Sequence, residues 1–221
     1  MTVKEGLHPS GRTLSDDMRI RSKGVLDPVA RFLLDLGLRP NTITLLGLAG
    51  NALGAFFLAR GDFLTGGLLV LIMGPIDALD GAMARLRGES SDFGAFVDSV
   101  TDRYSELFIY GGLLLHFVRT GQALVTALTF AAAAGSVLVS YVKARAESLG
   151  YEARGGLLTR FERYLVLAPA LLVTGFGWAP AVPIGVGVVA VLANLTALQR
   201  IHIVRRQARR AATPSGERTR R

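Results

Sequence analysis

The stretch Asp77-Ala-Leu-Asp80-Gly81-Ala-Met-Ala84-Arg85, followed shortly by Gly94-Ala-Phe-Val-Asp98-Ser-Val-Thr-Asp102, decides how the rest of the chain is read. Both halves lie within runs of about 20 or more predominantly apolar residues, the length that crosses a bilayer as a helix. A charged carboxylate there costs roughly 2.5–3.5 kcal/mol on insertion scales, so four of them need a functional reason. Asp77 and Asp80 stand at i,i+3 and Asp98 and Asp102 at i,i+4, so each pair projects from one helical face. An antiparallel hairpin turning at Arg87-Gly88-Glu89-Ser90-Ser91 brings Asp80 and Asp98 to similar depth, and the four side chains can converge.

Working outward, windows at 41–60, 63–86, 93–118, 121–145, 158–177 and 180–204 share this apolar character. Breaks at Arg60-Gly61-Asp62, Thr120-Gly121, Gly150 with Gly155-Gly156, and Gly177-Trp178-Ala179-Pro180 punctuate them. The predicted fold is an all-α integral membrane protein with six transmembrane helices. Composition agrees: a 221-residue chain that is 50% hydrophobic, with mean hydropathy +0.40, is neither disordered nor an ordinary soluble domain.

The net charge of +8 speaks of topology rather than nucleic acid, because Lys and Arg are bunched between uncharged stretches instead of spread over a soluble face. They cluster before residue 41, at 85–87, between 143 and 163, and from Arg200 onward, leaving Arg60 and Arg119 for the opposite loops. Retention of Lys and Arg on the inner side then places both termini in the cytoplasm, in a multi-pass protein of the cell (plasma) membrane. No secretory signal is expected at the N-terminus. Residues 1–40 form a cytoplasmic segment with an amphipathic juxtamembrane helix that starts at Asp27-Pro28 and repeats Val29, Phe32, Leu33 and Leu36. It is expected to lie on the inner leaflet with Arg31 and Arg39 towards anionic headgroups. Residues 41–207 make the catalytic membrane domain, and 208–221 a basic, unstructured tail. With no cysteine, thiolate chemistry is excluded.

Four converging carboxylates repel one another, and no four Lys or Arg sit at matching intramembrane positions to neutralise them. Two Mg²⁺ ions would balance them, and Mn²⁺ could substitute, since all-oxygen ligands suit hard divalent ions. A pair of such ions serves phosphoryl chemistry. The competing reading is a cation or proton pathway in a transporter, where intramembrane acids also gather. The neighbours favour phosphate: Gly81 and Gly94 remove side chains, Ala82 and Ala84 keep the helix thin, and Arg85 offers a bidentate phosphate donor. No second half repeats the carboxylates, as an inverted-repeat transporter would.

The pattern D-x-x-D-G-x-x-A-R followed by G-x-x-x-D-x-x-x-D, matched at every fixed position, resembles the signature of the CDP-alcohol phosphotransferases. The resemblance implies a membrane enzyme that transfers a phosphatidyl group from CDP-diacylglycerol to an alcohol and releases CMP. It implies that Asp77, Asp80 and Asp98 hold one metal ion and Asp77, Asp98 and Asp102 the other, with Asp102 also the general base. Pro40, Asn41, Thr42, Ile43, Gly81, Arg85 and Ser91 would contact the CDP-lipid.

A dense basic group, Lys143, Arg145, Arg160 and Arg163, follows the fourth window. Orientation alone can account for it; a phosphate on the acceptor is the functional reading, with Arg160 and Arg163 on one helical face. Inositol phosphate and glycerol phosphate both fit. The stretch from Lys143 to Arg163 is similar to the actinobacterial branch of the family that uses inositol phosphate, which also implies a homodimer.

Overall fold

The structure, a computed structural model, describes residues 26–88, 91–153 and 155–212, and every regular element among them is a helix. After α1, at 26–35, come α2 (Pro40–Ala59), α3 (Phe63–Arg87), α4 (Asp92–Arg119), α5 (Ala123–Ser148), α6 (Arg160–Gly175) and α7 (Ala181–Ala212). Each of the six apolar windows holds one helix. By length and composition α2, α3, α5 and α7 qualify as membrane spans. The other two carry site charges: α4 holds Asp98, Asp102, Arg103 and Glu106 within its first fifteen residues, and α6, only 16 residues long, opens with Arg160, Glu162 and Arg163.

The helix ends follow local chemistry. Pro40 begins α2, where a missing N–H costs nothing. The Asp62 carboxylate accepts the Thr65 backbone N–H at the start of α3, and Ser91 Oγ accepts that of Gly94 at the start of α4. Gly88 closes α3 in the left-handed conformation at φ 67°, which only glycine adopts without strain. The tail was expected to be unstructured from residue 208, but α7 continues to Ala212; residues 213–221 lie outside the described part, as do 1–25 of the N-terminal segment.

Between α1 and the rest of the bundle the packing is two-sided. Ala30 is buried, and Leu26, Leu33, Leu34 and Leu38 pack with Ile43, Leu79, Ala82 and Met83 of α2 and α3. Val29, Phe32 and Leu36 point outward. So the repeat read as one apolar face is divided: Leu33 faces protein, and its three companions face out.

The main core joins Leu58, Val70, Leu113, Leu171, Val186 and Val189, from five helices. Close helix approach rests on small residues, as is usual in membranes. A Cβ on Gly112 would strike the Ala55 backbone, and one on Gly66 would lie 3.0 Å from the Gly54 carbonyl. Consequently α2 sits tight against both α3 and α4. Outward-facing Leu124, Phe130, Phe176 and Leu198 are the apolar surface that a bilayer covers.

Pro75 lies inside α3, so the Leu71 carbonyl loses its helical donor. Tyr164 of α6 donates its hydroxyl to that carbonyl at 2.6 Å. Gly74 makes room for the ring, since a Cβ there would lie 2.5 Å from Tyr164 carbons. This bond docks α6 on α3 beside Asp77.

Candidate active site

The carboxylates of α3 and α4 are held in different ways. Asp80 is 5% exposed; its Oδ2 accepts the Thr44 hydroxyl at 2.5 Å and its Oδ1 the Gly81 N–H at 2.5 Å. Asp77 Oδ2 accepts Arg160 Nη2 at 3.0 Å. Its other oxygen lies in the space left by Gly47, where a Cβ would collide with it. Asp102 Oδ2 is ion-paired with Arg160 Nη1 at 2.6 Å and lies 3.5 Å from Arg103 Nη1. Half-buried Asp98 is in electrostatic reach of Asp77, Asp80 and Asp102. A single guanidinium from α6 thus bridges the two helices that carry the acidic pairs.

Arg160 shows that a cation fits between Asp77 and Asp102, and the oxygen-only donor set suits Mg²⁺ or Mn²⁺. Among the described residues no three acidic or histidine side chains are gathered as a ready metal cage. The reason is visible: Asp77 and Asp102 turn towards Arg160, and Asp80 towards Thr44 and Gly81. Asp77, Asp80, Asp98 and Asp102 could hold divalent ions once these side chains rotate, which would neutralise charge on a phosphoryl group and its leaving oxygen.

Around the carboxylates, the Arg85 side chain folds back across Gly81, with Nη1 3.5 Å from where a Cβ would stand. Asn41 and Thr42 are exposed in the first turn of α2, Pro40 is half-buried, and Ile43 is buried beneath α1. Ser91 is the cap of α4. The basic group divides. Lys143 is exposed and 3.9 Å from Glu147; exposed Arg145 contacts Ser148. Arg160 reaches the carboxylates. Arg163 is 2% exposed and gives Glu106 Oε1 two bonds, at 2.7 and 3.2 Å. Arg160 and Arg163, expected to grip one phosphate together, therefore engage separate acidic partners.

Several residues of this neighbourhood escaped the sequence reading. Glu106 continues the i,i+4 series of Asp98 and Asp102, a signal that was available. Thr44, Gly47 and Tyr164 offered none, because their roles depend on which helix lies opposite. Arg200 of α7 donates to the Val139 carbonyl at 2.7 Å and the Gly155 carbonyl at 3.0 Å, tying the α5–α6 connection down. Below the carboxylates lies a cavity of about 490 Å³ whose polar lining includes Asn51, Asp77, Ser105, Glu106, Arg160 and Arg163.

Comparison with known proteins decides between the enzyme and the transporter. Residues 38–200, all six long helices nearly to the end of the bundle, match the family profile of the CDP-alcohol phosphatidyltransferases. The chain belongs to this family. It is therefore a phospholipid-synthesising transferase, and the transport reading falls away. Phosphatidylinositol phosphate synthase from Mycobacterium marinum is 37% identical over 186 residues, 81% of this chain and 79% of that protein. The Streptomyces avermitilis phosphatidylinositol phosphate synthase is 39% identical over 200 residues, 85% and 80% respectively. Among solved structures, phosphatidylinositol phosphate synthase of Mycobacterium tuberculosis with CDP-DAG bound superposes with TM-score 0.77 at 32% identity, covering 89% of this chain and 98% of that one. The same mycobacterial protein in complex with manganese and citrate gives 0.75 at 32% identity, covering 89% and 93%.

Proposed function

We propose that this family member transfers the phosphatidyl group of CDP-diacylglycerol to a hydroxyl of a phosphorylated polyol, inositol phosphate, giving phosphatidylinositol phosphate and CMP. The observation that carries the reading is the position of Arg160. A cation from the basic α5–α6 region stands 2.6 Å from Asp102, so an acceptor held by its phosphate at Arg160 would present a hydroxyl near that carboxylate. The relatives named as phosphatidylinositol phosphate synthases support the polyol; glycerol phosphate, with the same phosphate, ranks second.

In this reading Asp102 takes the acceptor proton as the hydroxyl oxygen bonds to the lipid-side phosphorus and the bond to CMP breaks. Asp77, Asp80 and Asp98 would hold one Mg²⁺ and Asp77, Asp98 and Asp102 a second, with Mn²⁺ able to replace them. The role of these ions is to neutralise charge at the reacting phosphorus and the leaving phosphate. The first turn of α2 from Pro40 to Ile43, with Gly81, Arg85 and Ser91, would grip the CDP moiety. Arg160, with Lys143 and Arg145 at the end of α5, would form the basic surround of the acceptor phosphate, and Arg163, buried against Glu106, would hold α6 behind it. The same reading takes all six long helices as spans, α1 on the inner leaflet, both termini in the cytoplasm and a homodimer in the plasma membrane.

The test is CMP release from CDP-diacylglycerol by the purified enzyme with inositol phosphate, glycerol phosphate or free inositol. Inositol phosphate is expected first and free inositol well behind. Equal use of inositol and inositol phosphate would refute the assignment.

A further inference from the structure

Arg160 and Arg163 are one turn apart on α6 but differ in every physical respect. Arg163 is a fixed post: 2% exposed, it donates twice to Glu106 and lies 3.5 Å from the Leu158 carbonyl. Arg160 is 38% exposed at its side chain, and both its contacts are to carboxylate oxygens, Oδ2 of Asp77 and Oδ2 of Asp102. Those two residues are also two of the three assigned above to the second metal ion. A guanidinium on these oxygens disfavours a divalent ion at the same carboxylates, because it occupies part of their acceptor capacity and the two cations repel.

We infer that Arg160 is an internal cation that competes with divalent ions for Asp77 and Asp102 and passes to the acceptor's phosphate when the ions load. The inference deepens the function proposed above and rests on it. Metal binding and capture of a phosphomonoester then favour each other, since each relieves a cost of the other, and such coupling is reciprocal. The exchange needs only a side-chain rotation. The Glu106–Arg163 pair and the Tyr164 bond to Leu71 keep α6 in place while Arg160 changes partner. Arg160 is thus both a positioning group for two carboxylates and the part of the acceptor site that senses their occupancy.

The decisive measurement is the affinity of the purified full-length protein for Mn²⁺, followed by electron paramagnetic resonance without either substrate. Arg160→Ala is expected to bind Mn²⁺ at least about fivefold more tightly than the wild type, the lower end of ordinary coupling strengths. Inositol phosphate should tighten Mn²⁺ binding by the wild type, and much less by the variant. Arg160→Gln is expected to behave like the alanine variant and serves if the latter does not accumulate. Arg103→Ala separates competition from general charge: it removes a cation 3.5 Å from Asp102 that touches only one of the two carboxylates, and should shift the affinity less. Equal or weaker Mn²⁺ binding by both Arg160 variants overturns the inference while leaving the metal reading intact. An equal gain from Arg103→Ala overturns it too. Wild-type Mn²⁺ binding that Asp98→Asn leaves unchanged overturns the metal assignment itself, and the inference with it.

Discussion

Gly47→Ala tests the site with the smallest change of shape. Gly47 is buried on α2, and a Cβ there would overlap Asp77 Oδ1, lie 3.5 Å from Asp77 Cγ and reach 3.9 Å from Ile76 Cγ2. The carboxylate can yield only by turning, which shifts its other oxygen from its place 3.0 Å from Arg160. Overpacking by one methyl costs about 1–3 kcal/mol, and replacing glycine by alanine within a helix returns up to ~1 kcal/mol. The net loss, about 0–3 kcal/mol, leaves the protein folded. Activity should suffer far more, since displacing a reacting group by about 1 Å can lower turnover roughly 10²-fold. The assay is CMP release from CDP-diacylglycerol, with the thermal midpoint of the purified protein as a check on folding. Gly111→Ala is the control: a Cβ there meets nothing within 4 Å, so activity should stay near wild type. A Gly47→Ala enzyme within threefold of wild-type turnover would refute the placement of Asp77 against α2.

Asp102→Asn keeps the side-chain volume while removing the proposed base, and should lower turnover about 10²-fold or more with CDP-lipid binding largely retained; direct binding of the lipid separates the two effects. Glu106→Ala leaves the buried Arg163 without its carboxylate and should cost about 3 kcal/mol in stability, read by denaturation in detergent. Adding Arg163→Met to that variant should recover much of the loss, because an unpaired buried charge is then absent. Tyr164→Phe removes the hydroxyl that serves the Leu71 carbonyl, so a loss of about 1 kcal/mol is expected in the same measurement.

Family membership adds a constraint to these experiments. Because the transferase acts on a lipid, Glu106 and Tyr164 variants should be measured in a bilayer mimic of fixed composition. The cavity beneath the carboxylates, about 490 Å³ and lined by residues of α2, α3, α4 and α6, is bordered by both side chains, and its shape will change with either.

How much could be read without the fold follows from the range of each interaction. Helix positions were legible because apolar runs and their Gly and Pro breaks act over neighbouring residues. The two carboxylate pairs were legible because i,i+3 and i,i+4 spacing fixes a face within one helix. The motif from Asp77 to Arg85 and Gly94 to Asp102, spelled out in consecutive residues, pointed to the family before any packing was known. Charge clouded the same reading, since α4 and α6 carry site residues that keep them from being plain apolar spans. What the tertiary structure alone decided lies between helices far apart in the chain. Thr44 reaches Asp80 across 36 positions, Arg163 reaches Glu106 across 57, and Arg160 reaches Asp77 across 83. Helical periodicity says which face a side chain occupies but not which helix stands opposite. That is set by close approach at small residues such as Gly54, Gly66 and Gly112 and by the Pro75 carbonyl gap that Tyr164 fills. Those contacts brought Arg160 to the carboxylates and left Arg163 with Glu106, a division that adjacent positions on one helical face could not reveal.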